Sequence, residues 1–185
     1  EGADLFVFSE LSVCGYSPQD MLDYSIFLES CEQSIKQIAS HCVGIACIIG
    51  APQRNEAPQG KDFYNSALFI ENGEVKSSVQ KALLPTYDVF DEYRFYEPAK
   101  SFSCIEFKGR RIALTICEDL WNIHDNPMYV VNPMDELMKQ GPDLMINIAA
   151  SPFSYCHDEE RMTILSDNAK KYHLPLFYVN TVGAQ

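Results

Sequence analysis

Two kinds of apolar pattern alternate along this chain. Short unbroken runs occur at ADLFVFSEL (3–11), VGIACIIGA (43–51), PDLMINIAAS (142–151) and LPLFYVNT (174–181). Such runs suit strands covered on both faces. Between them lie stretches with helical spacing. In SPQDMLDYSIFLESCEQSIKQIASHC (17–42), Leu22, Ile26, Ile35, Ile38 and Ala39 recur on one side, with Phe27 and Cys31 beside them. Ser17 and Pro18 there supply a capping residue and a residue suited to a first turn. NPMDELMKQG (132–141) reads as a helix closed by Gly141, and HDEERMTILSDNAKKYH (157–173) as another. FYNSALFIENGEVKSSVQK (63–81) and FSCIEFKGRRIALTIC (102–117) read as hairpins turning at Asn72-Gly73 and Lys108-Gly109. APQRNEAPQGKD (51–62), dense in Pro, Gly and polar residues, reads as a loop. Hairpins interrupt the strand–helix alternation, so mixed sheets are expected. Strands apolar on both faces need a layer on each side, which predicts an α/β layered sandwich.

Composition narrows this picture. The chain has 185 residues, enough for one domain with a real core, and its 46% hydrophobic content excludes wholesale disorder. No apolar run approaches the roughly 20 residues that span a bilayer. With 26 acidic residues against 14 Lys and Arg, the formal charge is -12. That charge repels phosphates, so neither nucleic acid nor an anionic membrane is expected as a partner. Seven cysteines (14, 31, 42, 47, 104, 117 and 156) are an odd number without a C-x-x-C pair. Reduced thiols in the cytoplasm are the economical reading. The chain lacks an initiator Met and begins and ends at strand-like runs. It reads as a piece of a longer protein, cut at both ends.

Candidate chemistry sits where polar residues end apolar strands. Glu10 ends LFVFSE, Lys81 ends EVKSSVQK and Cys117 ends RIALTIC. Ligands of open α/β sheets gather beyond strand ends, and residues this far apart are expected to meet there only if their strands are neighbours. The trio makes coherent chemistry. Cys117 attacks a carbonyl carbon, Glu10 takes the thiol proton and returns it to a leaving amine, and Lys81 stabilises thiolate and oxyanion. The backbone N–H of Glu118 is a second oxyanion donor. Glu118 and Asp119 beside the thiol oppose its ionisation, and Lys81 is the expected compensating cation. Plain readings stand beside this one: a solvated Glu, a surface Lys, a buried core Cys. Spacing alone leaves both open. A Cys–His pair is a weaker rival, because His41, His124, His157 and His173 all fall in or beside predicted helices or loops. No His/Cys/Asp spacing matches a metal site.

FSELSVCGYSPQDML, KALLPTYDVFDEYRFY, ICEDLW and NIAASPF occur in this order with strand-length gaps. Together they resemble the nitrilase (carbon–nitrogen hydrolase) superfamily. More narrowly, they are similar to the glutaminase domains of glutamine-dependent NAD synthetases. The resemblance covers nearly the whole chain, the family's first strand and helix and its last strands lying outside it. It implies an α-β-β-α sandwich with mixed sheets. It also implies Glu10 as general base, Lys81 as oxyanion stabiliser, Cys117 as nucleophile and Glu92 as a second carboxylate orienting Lys81 and the substrate amide. Tyr16 and Tyr87 would wall the glutamine pocket, Trp121 would pack on it, and Glu118 and Ser151 would hold the substrate's amino-acid end. Tyr16, Tyr87 and Trp121 read equally as core aromatics, and Ser151 as a turn start. After SPF the family commonly carries Gly and then Lys or Arg, where this chain has Cys156 and His157. His157 would pair with the substrate carboxylate only when protonated, which leaves Arg161 as another candidate. The implied substrate is L-glutamine, with no cofactor in this domain. The implied partner is a synthetase domain of the same full-length chain, absent here, that uses ATP and Mg. A homo-oligomer is also implied. A stand-alone amidase on another small amide and a catalytically inactive scaffold are the alternatives.

Overall fold

The computed structural model describes residues 2–124, 126–155 and 157–183. Its strands form two four-stranded sheets. The first has the spatial order β1 (Leu5–Val7), β2 (Ala46–Arg54), β3 (Phe63–Glu71), β4 (Glu74–Gln80). The second has the order β5 (Ile105–Phe107), β6 (Arg110–Ile116), β7 (Leu144–Ala149), β8 (Leu176–Asn180). Each sheet mixes parallel and antiparallel pairs, as the two hairpins predict. The helices are α1 (Ser25–His41), α2 (Glu92–Phe95), α3 (Pro133–Met138) and α4 (His157–Tyr172). Among the described residues no helix is long and apolar enough to cross a membrane.

The period of two along each strand builds the layers. Ala46 and Ile48 of β2, Ala67 and Phe69 of β3, and Ile112, Leu114 and Ile116 of β6 point between the sheets. Their alternates Cys47, Ile49 and Ala51, with Leu68 and Ile70, pack outward on Ile35 and Ala39 of α1. On the far side, Ala113 and Met145 pack on Met134, Leu137, Ile164 and Tyr172 of α3 and α4. The result is helix, sheet, sheet, helix. Each fully buried Ile or Leu contributes about 1.5–3 kcal/mol.

Several predicted details differ. The 17–42 helix divides: a 3₁₀ turn (Gln19–Asp23) follows Pro18, and Tyr24, extended at ψ 115°, separates it from α1. Neither start has a side-chain cap. The inward stripe of α1 is Leu28, Cys31, Ile35 and Ala39, so Ile26 falls on the solvent side. Residues 51–54, predicted as loop, extend β2. Pro52 is tolerated there because the β1 ladder ends opposite Ile48, so no ladder bond is needed from Pro52 on that side.

β1 and β4 occupy opposite edges of the first sheet, and β6 belongs to the second. The condition that these residues meet only if their strands are neighbours therefore does not hold here. Glu10 instead reaches its partners by crossing β2. A Cβ on Gly50 would lie 2.2 Å from Leu11 N, 2.6 Å from Ser9 O and 2.7 Å from the Glu10 carbonyl carbon. All three are backbone atoms, which cannot swing aside. Gly50→Ala is expected to cost about 1–3 kcal/mol of stability, as overpacking does, and to displace Glu10. Denaturant melts of the two proteins check it, and an unchanged midpoint would contradict the crossing.

Candidate active site

Glu10, Lys81 and Glu92 meet in the interior. Lys81 Nζ donates to Glu10 Oε1 at 2.7 Å and to Glu92 Oε1 at 2.6 Å, and all three side chains are at most 1% exposed. Each is held by further bonds. Asn65 Nδ2 donates to Glu10 Oε1 (2.7 Å), while the Asn65 carbonyl accepts the Lys81 N–H (2.8 Å). The Ala150 N–H donates to Glu10 Oε2 (2.9 Å). Tyr16 OH donates to Glu92 Oε1 (2.8 Å). Glu92 Oε2 is buried without a hydrogen-bond partner among the described residues.

Cys117 follows β6 directly and sits at φ 43°, a left-handed conformation uncommon for a residue other than glycine. That kink turns the strand into a 3₁₀ helix (Cys117–His124), whose first N–H groups have no partner within the turn. Asn147 Nδ2 supports the turn from β7 through the Cys117 carbonyl (3.4 Å). The thiol is buried and lies within the fields of Glu10, Lys81, Glu118 and Glu92.

Electrostatics correct one expectation. Burial, then Glu10, push the Cys117 thiol well above its ordinary range, and Lys81 pulls it down by less. Lys81 is already engaged by two carboxylates. Burial and the Glu10 charge thus favour the thiol form of Cys117 over the thiolate. Burial opposes the Lys81 charge, but Glu10 and Glu92 outweigh it and hold the ammonium well above its usual range. Burial raises the Glu92 carboxyl to about 7 despite Lys81. The neighbouring Asp119 carboxyl is raised to about 6, again by burial.

Two clefts of about 640 and 520 Å³ flank this centre, adjoining it through Tyr16 and Ala150 in the first and Glu118 in the second. Glu10, Lys81, Glu92 and Cys117 themselves are buried and line neither. Both volumes suit a small ligand. Tyr16, Ser151, Arg161 and Asn180 line the first; Tyr87, Glu118 and Trp121 line the second. Val89, Phe90, Pro152 and Phe153 form the ridge between them. The Phe90 ring stands edge-on to both Tyr16 (6.3 Å) and Tyr87 (5.6 Å).

Most predicted site residues converge. Tyr16 and Tyr87 wall the clefts, and Tyr87 OH donates to both Glu118 oxygens (3.0 and 3.1 Å). Trp121 lines the same cleft as Glu118. Ser151 does not join Glu118: it lies across the ridge, its N–H donating to Asn180 Oδ1 (2.8 Å). The side chain of His157 lies outside the described residues. Arg161 lines the first cleft but is engaged with Asp158 and the Pro152 carbonyl. Sequence reasoning missed Asn65, Asn180, Gly50 and Tyr129, whose OH donates to Glu118 Oε1 at 2.6 Å. It noticed Asp119 only as unwanted charge. The available signal was a polar residue within or closing an apolar strand: Asn65 lies within β3, and Asn180 ends β8.

A four-layer sandwich with a carboxylate–ammonium–carboxylate cluster beneath a strand-end thiol is the framework of nitrilase-like hydrolases. The chain matches the carbon-nitrogen hydrolase family over residues 1–185 and belongs to that family. A glutamine-dependent NAD(+) synthetase of Synechocystis sp. is 41% identical over 189 residues, 98% of this chain. A solved glutamine-dependent NAD+ synthetase from Acinetobacter baumannii, in complex with ADP, is 33% identical with a TM-score of 0.86 over 99% of this chain. The chain spans about a third of the length of these two relatives, 34% and 32%. An amidase from Nesterenkonia sp. AN1, 22% identical with a TM-score of 0.77, shares the fold.

Proposed function

We propose that this chain hydrolyses the side-chain amide of L-glutamine through a thioester on Cys117. The buried Glu10–Lys81–Glu92 cluster, with Cys117 at the neighbouring strand end, is the observation that carries this reading. Cys117 Sγ bonds to the amide carbon as its proton passes to Glu10. Lys81 Nζ and the Glu118 N–H face the developing oxyanion. Glu92 Oε2, buried without a hydrogen-bond partner among the described residues, would accept from the departing NH₂ group. The carbon–nitrogen bond breaks and Glu10 returns the proton, releasing ammonia. Water then attacks the thioester, Glu10 takes its proton and restores it to sulfur, and glutamate leaves.

Selection of glutamine over simpler amides would come from Glu118. Its carboxyl group accepts from Tyr87 and Tyr129 and, ionised, would suit an α-ammonium group. In the longer protein the ammonia would serve a synthetase segment that uses ATP and Mg to amidate nicotinic acid adenine dinucleotide. A cytoplasmic homo-oligomer is part of the same reading. A passage sealed from water would keep the ammonia unprotonated.

Substrate preference tests it. The kcat/KM for glutamine is expected to exceed that for propionamide by about 10³-fold or more, since a site built to bind polar groups rejects analogues lacking them. Equal turnover of both amides would favour a general amidase.

A further inference from the structure

We propose that Asp119 is the positioning residue that sets Lys81 against Cys117; this rests on Cys117 being the nucleophile. Asp119 Oδ1 accepts from the N–H groups of Ala82 and Leu83, both at 2.9 Å. Its Oδ2 accepts from the Ile116 N–H at 3.0 Å. The first two follow Lys81 directly, and the third precedes Cys117. One buried carboxylate thus ties the end of β4, at the edge of the first sheet, to the end of β6 in the second.

The bond inventory explains why this tie is needed. The Lys81 N–H is held by the Asn65 carbonyl and the Lys81 carbonyl by Ala99 N–H (2.9 Å), which fix the residue within its own sheet and neighbouring loop. Neither contact sets its distance from β6. Beyond Gln80 the β4 ladder has ended, so the N–H groups of residues 82 and 83 are available to a side chain. A carboxylate serves here where an amide does not: both of its oxygens accept, so N–H groups can converge from two sides. An asparagine would keep one acceptor and turn its NH₂ toward an N–H group. The two acids beside the thiol thus have separate tasks. Glu118 faces the cleft, and Asp119 faces the backbone and fastens the two strand ends together.

The test uses the full-length protein with Asp119→Asn, and Asp119→Ala as the harsher variant. A misplacement of about 1 Å costs roughly 10²-fold in rate. Asp119→Asn is expected to lower kcat for glutamine about 10- to 100-fold with KM within about threefold. Iodoacetamide labelling of Cys117 is expected to slow about tenfold at a fixed pH, because a displaced Lys81 no longer favours the thiolate, whereas loss of the Asp119 charge alone would speed it. Ile35→Val and Ile35→Ala, on the inward face of α1, supply folded controls of reduced melting temperature that should alter neither readout. If Asp119→Asn lowers the melting temperature yet keeps kcat within about twofold and normal labelling, Asp119 is a core staple and the proposal is overturned. If Cys117→Ala hydrolyses glutamine as well as the wild type, the glutaminase reading falls. The positioning role in catalysis falls with it, whereas unchanged labelling in Asp119→Asn of an enzyme that does need Cys117 overturns the Asp119 proposal alone.

Discussion

Replacing Lys81 with methionine is expected to lower the unfolding free energy by about 3–5 kcal/mol, the usual cost of removing one partner from a buried ion pair. Methionine approximates the volume of the lysine stem, so the loss would be electrostatic. Glu10 and Glu92, both buried, would face each other with no cation between them. The two carboxyls would then repel each other across the gap, and the oxyanion would be without its ammonium. Glutamine hydrolysis is expected to fall about 10³-fold or more. Lys81→Met combined with Glu92→Gln separates the two effects: stability should recover in part, because one acid is gone, while activity stays lost. Chemical denaturation beside glutamate release checks both. Wild-type stability in the single variant, or activity regained in the double, would contradict this assignment. The same cluster sets the pH dependence of the native fold. Glu92 is raised from 4.5 to about 7 and Asp119 from 3.8 to about 6, so both bind protons more tightly when folded. Their contribution to stability is complete below the ordinary carboxylate range and is lost as pH rises through 6 and 7.

The legible part of the molecule was the local part. Asn72-Gly73 and Lys108-Gly109 adopt the positive φ pairs that two-residue hairpins require, and period-two alternation places the inner core of β2, β3 and β6. Glu10, Lys81 and Cys117 are visible as polar residues closing apolar strands, and the resemblance supplied Glu92. What stayed hidden depends on contacts between distant segments. Gly50 looks like an ordinary strand glycine until residues 9–11 cross it. Asn65 lies 55 residues from the Glu10 carboxylate it orients. Asp119 reads as a burden on the thiol because its partners, at 82 and 83, are near only in space. Ile26 and Leu28 show the same limit on a smaller scale. Both fit a helical stripe, and only the docking of α1 decides which turns inward.

Cys117→Ala carries the largest expected effect on activity. The substitution removes one buried sulfur, leaves Lys81 paired to Glu10 and Glu92, and should fold normally. Without a sulfur there is no thioester, and neither the ammonium nor the carboxylates can substitute as nucleophile. Removing the nucleophile of a covalent hydrolase costs about 10⁴- to 10⁶-fold in kcat. The loss is therefore expected to reach background while the clefts stay intact. The most direct measurement is glutamate release from saturating glutamine by folded Cys117→Ala beside the wild type. Release indistinguishable from the buffer blank is the predicted result, and release at the wild-type rate would contradict the account.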